Sequence, residues 1–104
     1  MTDIKKNIQE RIQSMDAIAE LFYQQQNGKG MEALGEELPK LVTAIDEMYL
    51  YKQEHEEMLF EDTQINEALQ QMLSSMEEKD YVMLADVIKY EMIEKFQAIA
   101  DGLE

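Results

Sequence analysis

The sequence predicts an all-α protein: an up-and-down antiparallel bundle of about four helices, formed as a single helical-bundle domain over residues 1–104. Three observations lead to this prediction. Apolar residues recur at intervals of three and four in four segments, which is the period of a helix with one buried face. Polar or glycine-bearing corners separate these segments, and none alternates apolar and polar residues as a half-buried strand does. Short corners favour antiparallel neighbours, so the segments should pack as a bundle.

The first helix is predicted over residues 3–26. Thr2 or Asp3 can cap its start, because both side chains accept a hydrogen bond from an unpaired backbone N–H of the first turn. The stop is predicted at Asn27-Gly28-Lys29-Gly30, since glycine readily adopts the left-handed conformation that ends a helix. Its apolar stripe consists of Ile4, Ile8, Ile12, Met15, Ile18, Ala19 and Phe22.

A second apolar stripe passes through Pro39 without losing its phase. Proline cannot donate to the carbonyl four residues back, so this helix should be kinked or split near Leu38. Beyond Tyr49 the stripe meets Lys52 and Glu56, so the helix should bend, leave the core or end within residues 52–61. The inward residues are predicted to be Met31, Leu34, Leu38, Leu41 or Val42, Ile45, and Met48 or Tyr49.

Two further helices complete the predicted bundle. Asp62 or Thr63 can cap the third, which ends at the polar corner of residues 77–79, and Asp80 can cap the fourth, which Gly102 should stop. The third helix should bury Ile65, Leu69, Met72 or Leu73, and Met76. The fourth should bury Tyr81, Leu84, Ala85, Ile88, Met92, Phe96 and Ile99.

The charge balance restricts the classes of partner. The chain has 23 acidic residues against 9 lysines and arginines, a formal net charge of −14. This charge repels phosphate backbones and anionic lipids, so we expect no nucleic-acid and no membrane partner, whereas a basic protein segment suits it. The chain also lacks cysteine and any apolar stretch long enough for a signal peptide or a membrane span, which predicts a cytoplasmic protein.

The side chains that carry most enzymatic chemistry are scarce. With one histidine and no cysteine, the sequence predicts no enzyme, no catalytic residue, no cofactor and no metal site. A di-iron centre in a bundle needs two Glu-x-x-His units, and Lys52 stands three residues before the single histidine. The carboxylates of Glu54, Glu57, Glu61 and Asp62 can converge in principle, but no glycine-bearing EF-hand loop accompanies them.

That histidine, His55, supplies the alternative function, a histidine phosphotransfer signalling module. It lies in Glu54-His55-Glu56-Glu57, where three glutamates oppose the negative charge that a phosphohistidine carries. The composition of this segment therefore favours an ordinary solvated histidine.

A second apolar stripe on the fourth helix provides the candidate binding residues. Met83, Val87 and Tyr90 follow the i, i+4, i+7 spacing and so share one face, opposite the inner stripe. A surface helix normally carries charge on that face. Either the helix is central and covered on two sides, or the stripe is an interface for another protein or a second copy of the chain.

Residues 77–91, Glu-Glu-Lys-Asp-Tyr-Val-Met-Leu-Ala-Asp-Val-Ile-Lys-Tyr-Glu, together with Leu-Pro-Lys-Leu-Val at residues 38–42, resemble an uncharacterised family of small all-helical Firmicute proteins. The resemblance covers about the last three quarters of the chain. Members of that family often accompany motility genes, so the resemblance implies a flagellar accessory or chaperone-like role. The shared residues serve helix capping and the core, and no functional residue is carried over. The size and helical build are also similar to a flagellar export chaperone.

The resulting prediction is a non-enzymatic, acidic helical bundle that binds a protein partner as a flagellar accessory or chaperone-like adaptor. The partner is either a helical or basic segment of another protein or a second copy of the chain. Met83, Val87 and Tyr90 are the predicted contact residues.

Overall fold

Four helical rods make up 90% of the structure, a computed structural model that describes residues 3–55 and 62–103. No strand occurs within these ranges, and the predicted all-α fold is confirmed. The rods are α1 (Ile4–Tyr23), α2 (Asn27–Glu54), α3 (Asp62–Glu78), and a C-terminal helix in which α4 (Tyr81–Val87), a π-helical turn (Ile88–Met92) and α5 (Ile93–Asp101) follow without a break. The α1 helix packs against α2 and the C-terminal helix, and α3 packs against α4 and the π turn.

The predicted helix caps at Asp3, Asp80 and Gly102 are confirmed. The Asp3 and Asp80 carboxylates each accept a hydrogen bond at 3.1 Å from the backbone N–H three residues later. Gly102 ends α5, and its N–H donates to the carbonyls of Ala98 and Ile99. Thr2 and the N-cap of α3 lie outside the described residues, as does the Asp62 side chain, while Thr63 lies inside α3.

The corner between α1 and α2 differs from the prediction. Residues 27–30 do not stop the first helix; they form the first turn of α2, and α1 ends earlier, at Tyr23. The left-handed residue is Gln25, with a φ of 63°, and the N–H of Gln26 closes the turn by donating to the Leu21 carbonyl at 2.9 Å. Lys79 adopts the same conformation after α3, with a φ of 57°. Backbone hydrogen bonds therefore close both corners without glycine.

Gly30 is required by packing against a neighbouring ring. It is buried, and a Cβ atom at this position would lie 2.7 Å from Cε1 of Phe22. Phe22 is buried too, and its ring stacks on that of Tyr81 of α4, with ring centroids 5.8 Å apart. The glycine allows the α2 backbone to approach this ring pair.

Of the two alternatives predicted at Pro39, a kink or a helix that ends near Leu38, the second is wrong, because α2 is unbroken through Pro39. Pro39 is exposed, and the Thr43 hydroxyl donates to its carbonyl at 2.9 Å. The hydrogen bond that proline cannot make would end on the Gly35 carbonyl, also on the exposed side, where water can replace it. The helix ends at Glu54, within the predicted segment.

The core follows the predicted stripes with two exceptions. Val42 and Leu73, each predicted as one of two adjacent inward candidates, are 44% and 46% exposed, and their neighbours fill the core instead. The largest fully buried side chains come from all four rods: Ile8, Met15, Leu34, Leu41, Met48, Ile65, Met72, Leu84, Ile88, Met92 and Phe96.

The π turn compensates for the spacing of the core residues in the C-terminal helix. Leu84, Ile88, Met92 and Phe96 are four residues apart, and in a straight α-helix each interval of four advances about 40° beyond a full turn. Over the three intervals this drift would carry Phe96 away from the core. The N–H of Ile93 donates to the Ile88 carbonyl, five residues back, and this wider turn keeps all four side chains buried.

One ion pair interrupts the apolar contact between α1 and α2. Arg11 Nη1 donates to Glu37 Oε1 at 2.6 Å, with the Arg11 and Glu37 side chains 14% and 5% exposed. The second oxygen of Glu37 is buried and has no hydrogen-bond partner among the described residues. Burial raises the pKa of the Glu37 carboxyl above its ordinary value of 4.5, although Arg11 and Lys40 act in the opposite direction.

We predict opposite effects of alanine at two α2 glycines. Gly30→Ala should lower the free energy of unfolding by about 1–3 kcal/mol, because the new methyl group overpacks the Phe22 ring. Gly35→Ala is the matched control: a Cβ atom there would meet no atom of another element within 4 Å, so the change should raise the free energy of unfolding by about 0.5–1 kcal/mol through helix propensity. Urea unfolding measures both, and equal effects would contradict the packing role of Gly30.

We also predict a pH-dependent penalty for Arg11→Met. At neutral pH this change leaves a buried carboxylate without its counter-ion, which should cost about 3–5 kcal/mol. The penalty should shrink as pH falls toward 4.5, because a carboxyl with a raised pKa binds its proton in the folded state before the unfolded state does. The double variant Arg11→Met/Glu37→Gln should recover most of the loss. A deficit relative to wild type that stays constant with pH would contradict this account.

Candidate protein-binding surface

The structure separates the three predicted contact residues. Met83 and Tyr90 are 51% and 57% exposed, whereas Val87 is only 5% exposed. The C-terminal helix packs against both α1 and α3, so it buries a wide arc that includes Val87. The stripe was predicted to be either buried under another helix or exposed as an interface. Val87 is buried, and of the three residues only Met83 and Tyr90 are exposed.

A fourth residue, Asp86, links these two side chains to the end of α1. It lies three residues after Met83 and four before Tyr90, so all three are neighbours on the helix surface. The Tyr23 hydroxyl, from the last residue of α1, donates to Asp86 Oδ1 at 2.6 Å. We call Tyr23, Met83, Asp86 and Tyr90 the Asp86 surface.

Tyr23 remains a neutral hydrogen-bond donor on this surface. Partial burial of its hydroxyl and the adjoining Asp86 carboxylate raise the pKa of Tyr23 well above its ordinary value, and the nearby Tyr90 and Glu20 act in the same direction. The phenol therefore donates to Asp86 throughout the physiological pH range. This bond fixes the Tyr23 ring and one oxygen of the Asp86 carboxylate relative to each other.

The surroundings of the Asp86 surface are predominantly acidic. Asp16 and Glu20 come from the facing side of α1, and Lys89 comes from the π turn. Lys89 Nζ lies 5.9 Å from the centre of the Tyr23 ring and 3.8 Å from Asp16 Oδ1. The carboxylates of Glu20 and Asp86 lie near the Tyr23 hydroxyl, and that of Asp16 pairs with Lys89.

His55 occupies a different part of the molecule, directly after the last residue of α2. Its ring stacks on Tyr51 with centroids 3.9 Å apart, and its Nδ1 lies 3.1 Å from the Tyr51 carbonyl oxygen. This arrangement covers one face of the imidazole and engages one of its two nitrogens. The following residues, Glu56 and Glu57, lie outside the described part of the chain.

A groove of about 320 Å³ lies between α1 and α2. Asn7 Nδ2 donates to Glu47 Oε2 at 3.1 Å at its edge. The groove is lined by Asn7, Glu10, Arg11, Pro39, Lys40, Thr43, Ala44 and Glu47.

Two further features concern metals and membranes. Over residues 3–55 and 62–103, no three histidine, cysteine or carboxylate side chains converge as metal ligands would. Glu57 and Glu61 of the acidic cluster considered above, and the Asp62 side chain, lie outside the described residues. No described helix combines the length and apolar character needed to cross a membrane.

Two single substitutions test the separation of Val87 from Tyr90. Val87→Lys should lower the free energy of unfolding by about 3–5 kcal/mol, because it places an unpaired charge in the core. Tyr90→Lys should change stability by no more than about 1 kcal/mol, because the side chain is exposed. Urea midpoints measure the difference, and similar losses for both variants would show that Tyr90 is also buried.

One comparison with known proteins identifies a family, and that family has no described activity. No curated protein and no solved structure matches the chain. A family profile described as "Domain of unknown function (DUF8042)" matches residues 1–102. Because this match covers nearly the whole sequence, the chain belongs to the DUF8042 family.

Proposed function

We propose that this protein is a non-enzymatic, cytoplasmic adaptor that binds a basic, helical segment of another protein at the Asp86 surface. The observation that carries the proposal is the grouping of exposed Met83 and Tyr90 with Tyr23 around one carboxylate, on a helix whose other large apolar side chains are mostly buried.

The residue types of this surface suit protein recognition. Tyrosine and methionine are enriched at interfaces because they bury a large area, and methionine adapts to the shape of its neighbour. Tyr23, Met83 and Tyr90 are 38–57% exposed, so a partner has apolar area to cover on each of them. The exposed Val42 and Leu50 of α2 differ, because they are two turns apart with Asp46 between them and have no comparable grouping.

Charge determines which kind of segment fits. The net charge of −14 and the carboxylates of Asp16, Glu20 and Asp86 attract a basic partner and accelerate its association. The same field repels nucleic acid and anionic membranes, and it opposes a second copy of this acidic chain. An amphipathic helix that carries lysine or arginine beside an apolar stripe satisfies both the apolar and the acidic parts of the surface.

The proposed role is that of a flagellar accessory or chaperone-like adaptor. It draws on the resemblance of residues 77–91 to small Firmicute proteins that accompany motility genes. Met83, Asp86 and Tyr90 lie within this segment, and Tyr23 is brought to it by the fold. The alternative, phosphotransfer at His55, gains no support from a ring that is stacked on Tyr51 and hydrogen-bonded to its carbonyl.

Site-specific photocrosslinking in the native host tests the proposal. A photoreactive phenylalanine analogue at position 90 should crosslink to a discrete partner protein, and Met83→Glu should reduce that product about tenfold, as expected for a central contact of an interface. Leu50 of α2, which is similarly exposed, supplies the matched controls. The analogue at position 50 is the control for position 90, and Leu50→Glu is the control for Met83→Glu. Crosslinks that form only at position 50, or only between copies of this chain, would refute the proposal.

A further inference from the structure

We infer that the Asp86 surface contains a binding site for one lysine or arginine side chain of the partner, formed by the Tyr23 ring and the Asp86 carboxylate and here called the seat, and that Lys89 occupies the ring side of this seat in the free protein. The inference rests on the proposed function and specifies the chemistry of the partner. It also implies that the Lys89 ammonium group competes with the partner's cation for the Tyr23 ring.

The elements of the seat are an aromatic ring and a carboxylate held in fixed relation. The Tyr23 ring is tied to Asp86 Oδ1 by its own hydroxyl, at 2.6 Å. Asp86 forms no ion pair within the described ranges, so its second oxygen can accept from a partner's ammonium or guanidinium group. Tyr90 adds a second exposed ring four residues further along, and an aromatic face attracts a cation within about 6 Å.

Lys89 places a cation beside the Tyr23 ring. Its Nζ lies 5.9 Å from the Tyr23 ring centre, within the range of a cation–π contact. Its remaining partner is Asp16, at 3.8 Å, and both side chains are well exposed, at 39% and 62%. A long, solvated ion pair of this kind contributes little, so the Lys89 side chain can leave the ring at small cost.

Another lysine of the same helix provides the comparison. Lys95 Nζ lies 2.7 Å from Glu91 Oε2, in a short i, i+4 pair, and its side chain is 23% exposed. Removing either lysine deletes one positive charge from the C-terminal helix. Only the removal of Lys89 takes a cation away from the Tyr23 ring. The two variants therefore separate occupancy of the seat from the general effect of net charge.

The test is a titration of the isotopically labelled protein, followed by nuclear magnetic resonance, with two designed peptides. Both are amphipathic helices of alanine, glutamine and leucine; one carries a single arginine beside the leucine stripe, and the other carries the neutral isostere citrulline. The arginine peptide should shift the amide signals of Tyr23, Asp86 and Tyr90 and should bind more tightly than the citrulline peptide. Lys89→Met should strengthen arginine-peptide binding about two- to fivefold, as expected for one surface cation–π contact.

The controls give opposite or smaller effects. Lys95→Met should strengthen binding less than Lys89→Met does, and Asp86→Asn should weaken binding of the arginine peptide but not of the citrulline peptide. Urea midpoints for each variant establish whether the protein remains folded. Tyr23→Phe keeps the aromatic ring, so it should weaken arginine-peptide binding less than Tyr23→Leu does.

Three results would overturn the inference. If both peptides bind the Asp86 surface equally, or if Lys89→Met and Lys95→Met have the same effect, the seat is refuted and the proposed function stands. If neither peptide binds wild type or Lys89→Met, the seat is also refuted, and the crosslinking experiment decides separately on the proposed function. Binding of the peptides at α2 instead of the C-terminal helix would contradict both.

Discussion

The contact of Phe22 with its neighbours is the constraint on which the arrangement of the helices and the candidate surface depend. This ring lies near the end of α1, where the α2 backbone approaches it at Gly30 and the first residue of α4, Tyr81, stacks on it. Three rods are therefore located relative to one side chain. The next residue, Tyr23, is consequently held at the edge of α4, within hydrogen-bonding distance of Asp86. The candidate site thus exists because the core contact beside it is tight.

The π turn makes a second contribution to the surface. It lies between Asp86 and the remainder of the C-terminal helix and allows apolar residues spaced by four to stay in the core. The same widened turn carries both Lys89 and Tyr90, so the side chains around Tyr23 are presented by backbone that differs from an ordinary α-helix. Turns of this kind occur frequently at functional sites. Here the turn serves packing on its inner side and presents polar and aromatic groups on its outer side.

Local chemistry made part of the fold predictable, and tertiary contacts made the rest unpredictable. Asp80 and Gly102 act within one turn of their own positions, so their roles could be inferred from neighbouring residues alone. The role of Gly30 could not be inferred in this way, because glycine is needed there by the Phe22 ring of another helix. Glycine also ends helices, so the residue type alone does not reveal its role. The sequence signal of the π turn is the repeated spacing of four among core residues of the C-terminal helix.

The candidate site, too, is predictable where local spacing determines it and unpredictable where tertiary contacts do. Helical spacing points to Met83 and Tyr90, but it cannot show that the C-terminal helix packs against two other helices and buries the intervening Val87. Tyr23 is more than sixty residues from Asp86 in sequence, so no local pattern joins them. The buried pair was detectable in principle, since Arg11 and Glu37 both occupy inward positions of apolar stripes and carry opposite charges.

That pair has a consequence for the alignment of α1 with α2. Leucine, isoleucine and methionine stripes tolerate a longitudinal slip of one helical turn, because one apolar side chain replaces another of similar size. A slip would separate Arg11 from Glu37 and leave each charge facing hydrocarbon, which is strongly unfavourable. The ion pair therefore favours the same register of α1 against α2 as the contact between Phe22 and Gly30. Through that register it sets the position at which α1 ends, and with it the position of the Tyr23 hydroxyl relative to Asp86.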